Sequence, residues 1–287
     1  MDSKQLAWKI RRHAVEMTHN SQSSHIGSIL SVADIIAVLY NDIANFDPNN
    51  PKMPDRDRII LSKGHAGAAV YAVLAEKSFF NTEELKNHYV DGSRLSGHVS
   101  HKGVPGIEFS TGSLGHGLSV AAGMAYAAKK DGKPYNIYVI CGDGECEEGA
   151  VWEAALVAHH NHLNNLILII DYNKMQSLGF CDDIISLSPL VEKWRAFGWN
   201  TIDVDGHAYK SLSEAFQQAA ISKDLPTVII ANTIKGKGIS FMENNILWHY
   251  RFPHDGEEYN NAILELRAQL PEGITDPYDR EMEERQV

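Results

Sequence analysis

Five short runs dominate the apolar pattern of the chain: RIIL (58–61), YNIYVI (135–140), NLILII (165–170), NTIDV (200–204) and TVIIAN (227–232). Runs this short, rich in Ile and Val and apolar at most positions, suit strands covered on both faces. Between them apolar residues recur at helical spacing over about 4–18, 31–40, 64–77, 113–129, 147–162, 188–197, 208–222 and 257–269. Strands alternating with helices predict an α/β fold: a mostly parallel sheet with helices on both faces, in three layers. Open sheets of this kind bind ligands beyond the carboxyl ends of their strands. The residues directly after each strand are therefore the first candidates for function.

The pattern stops in two places. From Asn81 to Ser113 the chain is rich in Gly, His and Ser, and a loop that long in a compact domain is usually functional. From Asp276 the sequence is charged with no apolar period, so residues 276–287 are expected to form an extended tail or to cover a neighbour. Residues 1–275 then make one domain. There are 26 basic and 37 acidic residues, for a formal net charge of −11. No basic stripe stands out, which argues against nucleic acid as a ligand. No run approaches the roughly 20 apolar residues of a membrane span, and the mixed, charged N-terminus does not read as a signal peptide. Cys141, Cys146 and Cys181 have no zinc-like spacing and are expected to be reduced thiols. These features together predict a soluble cytoplasmic protein.

Candidate chemistry sits at two strand ends. Gly142-Asp143-Gly144 follows the second strand, and Asp171-Tyr172-Asn173 follows the third. Glycines on both sides of Asp143 allow a ligand to approach the backbone closely. One carboxylate, the amide oxygen of Asn173 and a backbone carbonyl make an incomplete octahedral oxygen site. Mg²⁺ is usually held so, with phosphates and water completing the shell. The Gly144 N–H and the helix start beside it would favour a phosphate.

GDG followed some thirty residues later by Asn resembles the thiamine diphosphate motif, and four further segments extend the resemblance. SSHIGS (23–28), LSKGHAG (61–67), SGHVSHKGVPGIEFSTGSLGHGLS (96–119) and TIKGKGISFMEN…WH (233–249) are similar, in order, to segments of the N-terminal diphosphate-binding domain of transketolase. The resemblance runs from about residue 4 to 265. It implies the three-layer thiamine diphosphate-binding fold, with thiamine diphosphate and Mg²⁺ as cofactors and Ca²⁺ or Mn²⁺ able to stand in.

By the same resemblance, the metal is held by the side chains of Asp143 and Asn173 and the carbonyl of Met175. His65, Gly142, Gly144 and His249 belong with the diphosphate, and Gly112 and Leu114 lie by the aminopyrimidine. His25, His98 and His249 line the substrate channel as catalytic residues. His101 and His116 have no firm role. Glu148 matches a glutamate that communicates between cofactors at the dimer interface, although an acid at a helix start is favoured by the helix dipole alone. Two departures stand out. Ser177 replaces an apolar residue beside the thiazolium, and Tyr250-Arg251-Phe252-Pro253 follows His249 where the family usually has Gly-Ala-Pro.

In transketolases a second, pyrimidine-binding domain completes the cofactor site. The resemblance implies that it lies on a separate C-terminal transketolase subunit, in an α2β2 assembly that transfers a two-carbon ketol unit from a ketose or its phosphate to an aldose. GDG…N alone also fits a deoxyxylulose-phosphate synthase or the α subunit of a 2-oxoacid dehydrogenase. A non-catalytic binding subunit is the alternative outside enzymes. The His25, His65 and His98 set favours a sugar donor.

Overall fold

A computed structural model describes residues 1–279 of the chain. In order, the elements are α1 (Ser3–Ser21), α2 (Ile26–Val38), β1 (Arg58–Leu61), α3 (Gly67–Glu76), α4 (Gly117–Lys130), β2 (Ile137–Gly142), α5 (Gly149–His160), β3 (Leu166–Tyr172), α6 (Cys181–Ile184), α7 (Leu190–Ala196), β4 (Asn200–Asp205), α8 (Tyr209–Ala220), β5 (Thr227–Asn232) and α9 (Glu257–Ala268). The five strands form one sheet in the order β1-β2-β3-β5-β4. Every pairing in it is parallel.

The period-2 alternation within each strand divides the core in two. Tyr138, Ile140, Ile167, Ile169 and Ile229 face α1, α2, α3, α8 and α9. Val139, Cys141, Leu168, Ile170 and Ile230 face α4, α5 and α7. Each fully buried Ile or Leu contributes about 1.5–3 kcal/mol by leaving water. The sheet therefore needs both helical layers, as its unbroken apolar strands require. β4 is an edge strand, and it alone alternates polar and apolar residues along its length.

Three expectations are corrected. The helix expected at 31–40 begins at Ile26 and continues past Val38 into a π-turn, Leu39–Ile43. Ile26–Ile43 is also long and apolar enough for a membrane span (18 residues, mean hydropathy 1.6), but 83% of it is buried inside the fold. The third concerns the tail. Asp276 accepts from the Nε atoms of Arg12 at 2.9 Å and Arg267 at 3.1 Å, and the Tyr278 hydroxyl meets His13 Nδ1 at 2.7 Å. Residues 276–279 thus pack on this chain's own α1, because their charges meet buried partners there. Residues 280–287 lie outside the described residues.

Candidate active site

At the carboxyl ends of β1, β2, β3 and β5 the chain encloses a cavity of about 220 Å³. Gly142 pairs in register with Asp171, so the two strands deliver Asp143 and Asn173 side by side. Asp143 and Asn173 are 2% and 5% exposed, and Met175 is 3% exposed. The Asp143 carboxylate accepts from the Gly144 N–H at 2.8 Å and, through its other oxygen, from the Lys174 N–H. Lys174 has φ +66°, the left-handed turn that aims its N–H at Asp143. Space at Gly144 is tight: a Cβ there would stand 3.0 Å from Gln176 Cβ.

Two lysines face these acceptors from opposite walls. Lys63, two residues after the end of β1 and 1% exposed, donates to Asp171 and to the Ser28 carbonyl. Asp171 also accepts from the Ser31 and Thr233 hydroxyls. Burial opposes its charge, but Lys63 and these hydroxyls together hold it below the usual carboxylate range. Lys235, after β5, donates to the Met175 carbonyl at 3.1 Å and lies 2.7 Å from His249 Nδ1. Burial and the charge of Lys63 push its ammonium down to about 8. The segment that carries Lys235 is anchored from behind. Ile234 N–H donates to His207 Nε2 at 2.8 Å, and His207 Nδ1 meets Asp34, which also holds Arg11.

The donor set fits a divalent cation. Among the described residues no three His, Cys, Asp or Glu side chains gather into a metal cluster. What converges is one carboxylate, one amide oxygen and one carbonyl, the hard-oxygen set that suits Mg²⁺. Burial pushes the Asp143 carboxyl up to about 6, against the backbone N–H groups of Gly144 and Lys174 and the charge of Lys63. An ammonium already rests on the Met175 carbonyl.

Above this floor four imidazoles converge. The His25 ring lies 5.0 Å from His65, 5.8 Å from His98 and 5.2 Å from His249. His25 adopts φ +78°, a costly conformation for a residue with a side chain, and is held there by its N–H on the His249 carbonyl at 2.9 Å. Its Nδ1 is buried, with no hydrogen-bond partner among the described residues. Burial, aided by His98 and the two lysines, pushes His25 down to about 4. Burial and Lys235 push His249 to about 3, and burial with Lys63 lowers His65 well below its usual value. Near neutral pH these three rings are uncharged, each with one donor and one acceptor nitrogen.

Gly112, Leu114, Gly142, Gly144 and Ser177 line the same cavity, and Tyr250 stands at its mouth, 64% exposed and 4.6 Å from the His249 ring. Glu148 does not line it: it is exposed at the start of α5, beside Gly115. His101 bonds the Ser110 hydroxyl and His116 the Leu114 carbonyl, both outside the cavity. Arg251 pairs with Glu258. The three cysteines are buried and free, and burial raises all three thiols, Cys181 to about 12, which leaves them unreactive. Ser28, Lys63, Glu145, Asp171 and Lys235 are site residues that sequence reasoning missed. Lys63 and Lys235 come two and three residues after the ends of β1 and β5, so the strand-end rule was a signal that pointed to their segments.

A parallel α/β domain that gathers oxygen donors, two buried lysines and neutral imidazoles at its strand ends is suited to a diphosphate-bearing cofactor and a polar substrate. Comparison with known proteins specifies which. The family profile described as transketolase, thiamine diphosphate binding domain matches residues 2–251. The 6-deoxy-6-sulfo-D-fructose transketolase subunit SqwG of Clostridium sp. is 43% identical over 260 residues, 91% of this chain and 94% of that protein. One subunit of the apulose-4-phosphate transketolase of Phocaeicola vulgatus is 39% identical over 262 residues, 91% of this chain and 92% of that protein. The crystal structure of Campylobacter jejuni transketolase superposes with a TM-score of 0.86 at 29% identity, covering 99% of this chain and 45% of that one. The chain belongs to the transketolase family, as its N-terminal, thiamine diphosphate-binding subunit.

Proposed function

We propose that this subunit works with a pyrimidine-binding transketolase subunit to transfer a two-carbon ketol unit from a ketose, phosphorylated or otherwise anionic, to an aldose. Thiamine diphosphate supplies the carbanion chemistry when bound, and the protein supplies orientation and electrostatics. Asp143, Asn173 and the Met175 carbonyl would hold Mg²⁺. Lys63, Lys235 and the Gly144 N–H would meet the diphosphate, with Gly112 and Leu114 along the aminopyrimidine.

The observation that carries the sugar reading is the ring of imidazoles around the unpartnered His25 Nδ1. A ketose presents a carbonyl and adjacent hydroxyls, and neutral imidazoles can donate to the first and accept from the second. His25, His98 and His249 are assigned to bind those groups and move protons between them. Two relatives of this chain's length are named for an anionic sugar, a sulfofructose and an apulose phosphate. The cavity is smaller than the roughly 300–1,000 Å³ of complete small-molecule sites, which supports a second wall from a partner. α5 turns Leu156 and Val157 outward, 57% and 52% exposed, near Tyr126 of α4 at 44%. Within the chain that helix is not buried on all sides. The apolar face supports pairing between two copies in an α2β2 complex.

The reading is tested by supplying the two-subunit complex with a ketose phosphate and an aldose, and separately with pyruvate. Ketol transfer is expected; turnover of pyruvate alone would contradict it. His98→Ala is expected to slow donor turnover by about 10²–10⁴-fold, the usual worth of acid–base assistance. Calorimetric affinity for thiamine diphosphate should stay within about 2-fold, because His98 is exposed and is assigned to the donor sugar and not to the metal corner. Equal losses in both measurements would make it a structural residue.

A further inference from the structure

Glu145 sits two residues beyond Asp143, on the turn Gly144–Glu147, and is 2% exposed. A carboxylate buried next to a diphosphate site is electrostatically unfavourable. What keeps it there is its set of donors. One oxygen accepts from the Ser62 hydroxyl and from the Gly115 N–H at 2.9 Å; the other accepts from the Gly142 N–H at 3.1 Å. Ser62 Oγ in turn accepts from the Gly117 N–H at 3.1 Å.

These donors come from three separate segments. Ser62 follows the last residue of β1 and leads into Lys63 and His65. Gly142 ends β2 and leads into Asp143. Gly115 and Gly117 belong to the loop that carries Gly112 and Leu114 into α4. Among the described residues, the backbone N–H groups of 112–117 that bond to another segment are those of Gly115 and Gly117, and both end on the Glu145–Ser62 pair. Gly115 has φ +81°, which aims its N–H inward, and a Cβ there would stand 2.7 Å from Glu148 Cβ.

We propose that Glu145 is a positioning residue that sets the distance between the diphosphate corner at Asp143–Gly144 and the Gly112–Leu114 loop, and so matches the site to the length of thiamine diphosphate. This rests on the cofactor assignment above. The carboxylate need not touch the cofactor; it acts through the loops it joins. A ligand that spans both loops depends on it, and a ligand that touches only the corner does not.

The test compares two ligands on the two-subunit complex by calorimetry: thiamine diphosphate with Mg²⁺, and inorganic diphosphate with Mg²⁺. In Glu145→Ala, affinity for thiamine diphosphate should fall about 10–100-fold, as for supporting groups around a metal site, while that for inorganic diphosphate changes less than about 3-fold. Hydrogen exchange at the Gly115 and Gly117 amides of the cofactor-free chain should accelerate. Glu145→Gln keeps the size and one acceptor but sets an NH₂ group against the Gly142 N–H, so its loss should be intermediate. It also serves if the alanine variant folds poorly. Equal loss of both ligands, or no loss of either, overturns the proposal. Failure of the unmutated complex to bind thiamine diphosphate would instead overturn the cofactor assignment.

Discussion

Asp143→Ala should lose Mg²⁺-dependent binding of thiamine diphosphate by roughly 10²–10³-fold, the scale of a buried charge pair broken from one side. The carboxylate is the sole anionic donor among the three oxygen groups assigned to the metal. It stands where burial already works against its own charge. Asn173 and the Met175 carbonyl remain after the change but bring only dipoles. Stability should change far less. Asp143 accepts two backbone N–H groups at a loop corner, those of Gly144 and Lys174. Their loss costs about 1–2 kcal/mol, partly offset by removal of a buried charge. At about 2–4 °C per kcal/mol for a chain of this size, the melting temperature should fall by a few degrees. Titration calorimetry and a thermal scan on the same sample separate the two effects. Wild-type affinity in the variant would remove Asp143 from the metal site.

The strands were legible because their residues face apolar helices on both sides, so no polar position interrupts β2 or β3 before the carboxyl end. The first polar residues after those strands were therefore conspicuous, and Asp143 and Asn173 stood out. Helix starts were harder to place. α2 begins at Ile26 through Gly27 and Ser28, residues of modest helix propensity that tertiary burial overrides. α4 begins only at Gly117, after Leu114 has reached the cavity wall. His25, His98 and His249 lie in three distant segments, and only the family resemblance joined them. Lys63 and Lys235 escaped notice because an isolated lysine reads as surface. Their burial depends on Asp171, the Ser28 carbonyl and the Met175 carbonyl, none of them local in sequence. Glu145 was hidden for the same reason, since its partners Gly115 and Ser62 are 30 and 83 residues away along the chain and only Gly142 is local.

The largest effect of all is expected from the partner. On the proposed reading this chain would furnish the diphosphate corner, the aminopyrimidine loop and the donor imidazoles. No residue of its cavity is assigned to the far end of the aminopyrimidine ring, and on the proposed reading the carboxylate that activates the ring comes from the pyrimidine-binding subunit. The decisive measurement is ketol transfer by the purified chain, saturated with thiamine diphosphate and Mg²⁺, before and after a pyrimidine-binding subunit is added. The account predicts no turnover above background from the chain alone and full activity once the complex forms. Substantial turnover by the chain alone would contradict it, since the activating carboxylate would then have to lie within these 287 residues.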